Sequence, residues 1–234
     1  MIEAEWWEYD SVDEMAEAVA GDVGFIIDSA IDARDASLLA LPGGKTPLPI
    51  FDKLVAAKRP WKKVTIIPTD DRLVPPGDPL SNFGLLERFF AGGEAQLLPI
   101  AGPPFDDPAA VADASELRLS DLPWPLDLVW LGFGLDGHVA SLLPGPDLDN
   151  ALRVPDWRRI AGIRPEPLPA EAPVPRVTLT LSAILAAKRL LISGSGRDKL
   201  EVIKRALDEG EESQMPLGIV LARARCRPDL FWSR

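Results

Sequence analysis

Apolar positions along this chain switch repeatedly between two spacings. Residues 2–9 alternate apolar and acidic side chains, the pattern of a half-exposed strand at a sheet edge. Ser11 and Glu14 then form a capping box. Val12, Met15, Ala16, Val19, Val23, Ile26, Ile27 and Ala30 recur at helical spacing, which predicts a long amphipathic helix ending near Arg34. Short apolar runs at 36–41, 64–68, 96–100, 126–131 and 189–193 have the length of interior strands, and 159–163, 176–179, 219–221 and 230–232 add shorter ones. Helices are expected between them. One runs from Pro47 to about Ala57 with Thr46 as its N-cap, and one is capped by Ser81-Asn82 with Phe83, Leu86, Phe89 and Phe90 on its apolar face. Two more cover 109–119 and 198–209.

Alternating strands and helices predict an α/β fold, a mostly parallel sheet with helices on both faces. In that arrangement the loops 42–47, 69–72, 132–138 and 194–199 share one edge of the sheet, where open α/β sheets bind ligands. Residues 73–80 and the five-proline stretch 164–175 read as loops, and 144–150 as turn-rich.

Composition narrows the function. With 234 residues, 47% of them hydrophobic, the chain suits one large globular domain, or at most two. A net charge of −11 disfavours a nucleic-acid or anionic-membrane surface, so an anionic small molecule needs a local cluster of cations and amides. Cys226 is alone, which rules out an internal disulfide and fits a reducing cytoplasm. The start is acidic rather than basic and apolar, and nowhere do about 18 apolar residues run together, so neither export nor a membrane span is expected.

The chemistry concentrates in residues 128–144. An apolar strand empties into a loop with Gly132, Gly134 and Gly137 that carries His138, the only histidine. An imidazole with an ordinary pKa of about 6.5 takes and returns a proton near neutrality. A lone histidine is more often structural. Here the glycines permit close backbone approach, Asp136 can orient the ring, and the strand end is the right place for a ligand.

Three other loops supply charge. Gly43, Gly44 and Lys45 lie beside an expected helix N-terminus, where amides and an ammonium group favour an anion, although the spacing is not that of a P-loop. Asp70, Asp71 and Arg72 follow a strand. Lys199 lies in the first turn of its helix, where a cation is unfavourable unless an anion is also bound.

Taken together, Gly43-Gly44-Lys45-Thr46-Pro47, Asp70-Asp71-Arg72-Leu73-Val74-Pro75 with Ser81-Asn82, the run Leu131 to Pro144 with its Gly-Leu-Asp-Gly-His core, and Arg176-Val-Thr-Leu-Thr resemble the 6-phosphogluconolactonases of the glucosamine-6-phosphate isomerase/6-phosphogluconolactonase family. Order and spacing match over nearly the whole chain. The resemblance implies a Rossmann-like single domain over 1–234 that hydrolyses 6-phosphoglucono-1,5-lactone in the oxidative pentose phosphate pathway, with no metal and no cofactor. It implies His138 as the general base, Asp136 and Asp70 as orienting groups, and Arg72, with loop amides near Gly134, as stabilisers of the oxyanion. Gly43, Gly44, Lys45, Thr46, Arg72, Ser141, Arg176 and Lys199 are then the candidate phosphate and substrate ligands. The expected partner is a small sugar phosphate lactone, in a monomer or weak homo-oligomer. The chain departs from the family at Asp71, where a glutamate is usual, and at Lys45, where many members have a small residue.

Three rivals remain at this stage. Deaminases of the same family typically carry Asn-Glu-Pro where this chain has Ser141-Leu142-Leu143-Pro144. Gly132-Phe-Gly-Leu-Asp-Gly137 also fits the dinucleotide pattern, but Pro144 leaves little room for the helix that pattern opens, and Asp156 precedes a strand instead of ending one. A non-catalytic sugar-phosphate sensor would have no need of His138.

Overall fold

Strands with apolar side chains on both faces need cover on both sides, and the chain supplies it. In the computed structural model, residues 2–145 and 148–234 are described. The elements run β1 (Glu5–Tyr9), α1 (Val12–Arg34), β2 (Ser37–Leu41), α2 (Leu48–Ala56), β3 (Val64–Pro68), β4 (Asp70–Arg72), α3 (Asn82–Phe90), β5 (Gln96–Leu97) and α4 (Pro108–Arg118). Then follow β6 (Leu128–Leu131), α5 (Leu148–Leu152), β7 (Ile160–Ile163), β8 (Arg176–Leu179), α6 (Leu181–Leu185), β9 (Leu190–Ser195), α7 (Arg197–Glu209), α8 (Pro216–Arg223) and β10 (Asp229–Ser233).

Seven strands form a wholly parallel sheet in the order β1-β10-β9-β6-β2-β3-β5. Its alternating side chains divide into two cores. Leu39, Leu41, Leu128 and Trp130 pack against α1, α2 and α3, through residues such as Ile27, Phe51 and Phe90. Leu38, Ala40, Val129 and Leu131 pack on the opposite face, against Val111 of α4, Ile184 of α6, Ile203 of α7 and Leu217 of α8. The capping of α1 is as its sequence predicts, with Ser11 Oγ accepting from the Glu14 amide at 3.2 Å.

Strand order places the ligand crevice. From β2 the chain adds β3 and β5 to one side, and from β6 it adds β9 and β10 to the other. The loops that leave β2 and β6 therefore diverge and open a cleft at the carboxyl ends of the strands.

A second, antiparallel sheet of order β4-β8-β7 was not foreseen. Thr69 links the two sheets, its amide donating to Leu41 O and its carbonyl accepting from the Leu179 amide. This sheet turns Asp70 to Arg72 back over the cleft, opposite Arg176 to Thr178.

Local readings fail where a short apolar run decides nothing. Residues 219–221 are helical, within α8, which begins at Pro216 and buries Ile219, Val220 and Leu221. β5 stops after two residues, since Pro99 has no amide to continue a ladder. Residues 159–163 do form a strand, β7, but in the second sheet. The turn-rich reading of 144–150 meets a short helix, α5, and Pro146 and Asp147 lie outside the described residues. Among the described residues no helix is long and apolar enough to cross a membrane.

Candidate active site

The crevice holds a cavity of about 230 Å³, and all four predicted loops reach it. Gly43, Gly44, Lys45 and Thr46 line it from the β2 loop, Asp70 and Arg72 from β4, Gly132, Phe133 and His138 from the β6 loop, and Lys199 from α7. Arg176 of β8 also lines it.

The β6 loop is braced by its own backbone. Gly134 N donates to His138 O at 2.9 Å and Gly137 N to Gly134 O at 3.1 Å, so the Gly134 amide is already engaged and is not an oxyanion donor. Of the loop amides expected near Gly134 to meet an oxyanion, that one is removed. A Cβ on Gly134 would stand 2.2 Å from His138 Nδ1, so the absence of a side chain there is what lets the ring lie against the loop. Gly137 adopts φ +82, a conformation that favours glycine.

His138 Nδ1 lies 2.7 Å from Asp136 Oδ1, and that carboxylate also accepts the His138 amide at 3.2 Å. The hydrogen bond from the ring is the main reason the Asp136 carboxyl is pulled down to about 2. An ionised carboxylate on Nδ1 keeps the proton on that nitrogen and leaves Nε2 as the basic atom. Asp136 itself does not line the cavity; it acts on the ring from behind.

The cationic side is unusual. Arg72 and Arg176 are directly paired across β4 and β8. Arg72 Nη1 donates to Leu80 O at 2.8 Å, but its buried Nε has no partner. Arg176 is 2% exposed, with Nε and Nη2 unpartnered and the Glu171 carboxylate 3.6 Å away. Burial is the leading cause that lowers its pKa. Two adjacent guanidinium groups with unused buried N–H bonds make a site that an anion would complete.

Lys199 is partly buried at the cavity wall. Its Nζ donates to Phe133 O and stands 4.6 Å from the centre of the Phe133 ring, and burial lowers its pKa. Lys45 is exposed at the rim, and among the described residues it has no carboxylate partner.

The β2 loop differs from its sequence reading. Pro47, not Thr46, is the N-cap of α2, and no side chain caps that helix. Leu48 N and Ile50 N are taken by Lys45 O and Pro47 O, and Pro49 has no amide. The anion donors on this side are therefore the loop amides from Gly43 to Thr46, which have no protein acceptor among the described residues.

Ser141 is also moved by the structure. It is fully buried, donates from Oγ to Asp70 Oδ2 at 2.6 Å, and lies outside the cavity lining, so it acts as a support for Asp70. Asp71, the departure from the family pattern, turns away from the cavity. It accepts from the amides of Arg72, Asn82 and Phe83 and from Ser81 Oγ. Burial pushes its carboxyl up to about 6 against the pull of those amides. Sequence reasoning missed Asn82 and Ser193 as cavity residues. The sequence pairs Asn82 with Ser81 as a helix cap, whereas Ser81 Oγ alone does that work, accepting from Gly84 N at 3.0 Å.

The dinucleotide reading fails on geometry. After Gly137 the chain folds back through Val139, which bridges to Phe133 and Leu142, and opens no long helix.

Comparison with known proteins follows the same line. The family model for glucosamine-6-phosphate isomerases/6-phosphogluconolactonase matches residues 10–232. The chain belongs to that family. A 6-phosphogluconolactonase of Rhizobium meliloti is 36% identical, covering 96% of this chain and 97% of the relative. One from Pseudomonas aeruginosa is 35% identical over 88% of this chain and 87% of its own. The crystal structure of a 6-phosphogluconolactonase from Shewanella baltica superposes with a TM-score of 0.91 at 31% identity, covering all of both chains. That from Trypanosoma brucei, at 21% identity and a TM-score of 0.84, covers 100% of this chain and 97% of its own and shares the fold.

Proposed function

We propose that this chain is a lactone hydrolase that converts 6-phospho-D-glucono-1,5-lactone to 6-phospho-D-gluconate in the oxidative pentose phosphate pathway. One observation carries the reading: an imidazole anchored at Nδ1 by a carboxylate lines a cavity whose other walls bear Arg72, Arg176 and Lys199. Family membership and the curated relatives support it.

In this reading Nε2 of neutral His138 takes a proton from water as the oxygen attacks C1. The tetrahedral oxyanion is stabilised by Arg72, now without help from the Gly134 amide. The imidazolium, steadied by Asp136, then gives its proton to the departing ring oxygen, which becomes the 5-hydroxyl. Acid–base transfer of this kind contributes about 10²–10⁴-fold. The 6-phosphate is held by the amides of Gly43 and Gly44, by Thr46 and by Lys199, with Arg176 adding charge from the buried strand. Asp70, held between Ser141 and Asn82, orients the nearby guanidinium groups. Each step uses side chains of the chain itself, so we infer that no metal takes part.

Deamination of glucosamine 6-phosphate is the second reading. The segment 141–144 is Ser-Leu-Leu-Pro and has no carboxylate to offer the cavity, which favours the lactonase. The test generates the lactone in situ from glucose 6-phosphate and follows its loss above the spontaneous background. The wild-type chain should accelerate it. His138→Asn should fold normally, bind the phosphorylated product, and lose at least about 10²-fold in kcat; wild-type turnover in that variant would end the general-base assignment.

A further inference from the structure

Asn82 is 4% exposed and stands where α3 meets two of the site loops, the one after β2 and the one at β4. Its Nδ2 donates to the Asp70 carbonyl at 2.8 Å and to Asp70 Oδ1 at 3.2 Å. Its Oδ1 accepts from Arg72 Nη1 at 3.4 Å. A Cβ on Gly43 would fall 1.9 Å from that same Oδ1, so the β2 loop packs directly against the amide. The Asn82 backbone is fixed in turn, its amide donating to Asp71 Oδ1 at 2.7 Å. One neutral side chain thus offers a donor to the acid and an acceptor to the base.

We propose that Asn82 is a positioning residue that holds the Asp70 carboxylate, the Arg72 guanidinium and the Gly43 loop in one geometry for binding the phosphorylated ring. This rests on the lactonase reading. An amide is suited to the task because only a group with both a donor and an acceptor end satisfies Asp70 and Arg72 together. A carboxylate at this position would satisfy Arg72 and repel Asp70. Hydrophobic replacement would leave Asp70 short of a donor in a buried place, at a cost of the desolvation kind.

The charged groups that face position 82 are Asp70, Asp71 and Arg72 from β4, with Arg176 behind Arg72 on β8 and Lys45 on the β2 loop. Asn82→Asp therefore sets two carboxylates side by side, which share a proton as the solution becomes acidic. The shared proton restores a donor between them. Asn82→Ala meets the same acidification without a second carboxylate at this position, so comparing the two variants isolates the added group.

The experiment measures kcat/KM for wild type, Asn82→Asp and Asn82→Ala between about pH 8 and about pH 5.5, with thermal unfolding of each and calorimetric binding of inorganic phosphate. Expected are a loss of at least about tenfold in both variants at the alkaline end, and a rising Asn82→Asp to wild-type ratio on acidification. Asn82→Ala should show no such recovery. Phosphate should bind both variants more weakly. A folded Asn82→Ala with wild-type kcat/KM overturns the proposal, as does an Asn82→Asp ratio that is flat with pH. Should Asn82→Ala not fold, the Asn82→Asp ratio decides. Absence of lactonase turnover in the wild type would overturn the functional reading instead, and unchanged phosphate affinity in Asn82→Asp would then overturn the clamp.

Discussion

At Asp136 one side chain sets both the tautomer and the orientation of the proposed base. Its carboxyl, held down to about 2 by the ring, stays ionised at any pH where a neutral imidazole is present. A depressed carboxylate contributes stability that is complete above its unfolded value near about 4 and is lost as pH falls through the folded one. Nearly half of the side chain meets solvent, so that contribution is small. Asp136→Asn should accordingly keep its Tm within a few degrees of wild type at neutral pH, while kcat/KM falls by about 10²-fold or more. Steady-state kinetics beside a melting curve checks both halves; unchanged kcat/KM would show that the ring needs no anchor. The sequence made Asp136 and His138 visible as neighbours, but not that the carboxylate would lie behind the ring and off the cavity wall.

Elements matter where two of them touch through a missing side chain. The loop after β2 rests on the first turn of α3 at Gly43, against the amide of Asn82. Gly43→Ala must push the two apart, which spreads the loop amides away from Arg72. KM should rise by about tenfold or more, since one displaced charge-assisted contact is worth about 1.5–3 kcal/mol. Wild-type KM would mean that the loop does not hold the substrate. The sequence shows the glycine but gives no reason to choose α3 as its neighbour. The second sheet explains why: β4 and β8 are 104 residues apart in their paired arginines, Arg72 and Arg176, and no local pattern encodes that register. The same strand pairing makes Arg176 a buried, underpaired cation.

For the molecule as a whole, electrostatics runs against the substrate. The chain carries −11, yet Lys45, Arg72, Arg176 and Lys199 converge on one cavity with Asp70. Such a local reversal of sign focuses the field and draws an anion inward against the acidic surface. Lys45 is the outermost of the four. Lys45→Gln should lower kcat/KM by a few-fold with little change in kcat, and should flatten the decline of kcat/KM with added salt. Salt titration of both proteins tests it; parallel curves would place Lys45 outside the capture path.

Local pattern determined much of this protein. The 3.6-residue spacing of α1, its Ser11 cap, the apolar runs of β2, β3, β6, β9 and β10, and the glycine loop around His138 all follow from forces between residues near one another in the chain. Their alternation also requires a two-faced parallel sheet. Tertiary structure alone decided the rest: that α8 is a helix, that β4, β7 and β8 leave the main sheet, that Ser141 serves Asp70, and that Asn82 joins the β2 loop to β4. Those outcomes depend on which distant groups are brought together and on which buried donors and acceptors remain unmatched, quantities that exist only once the chain has closed around its cleft.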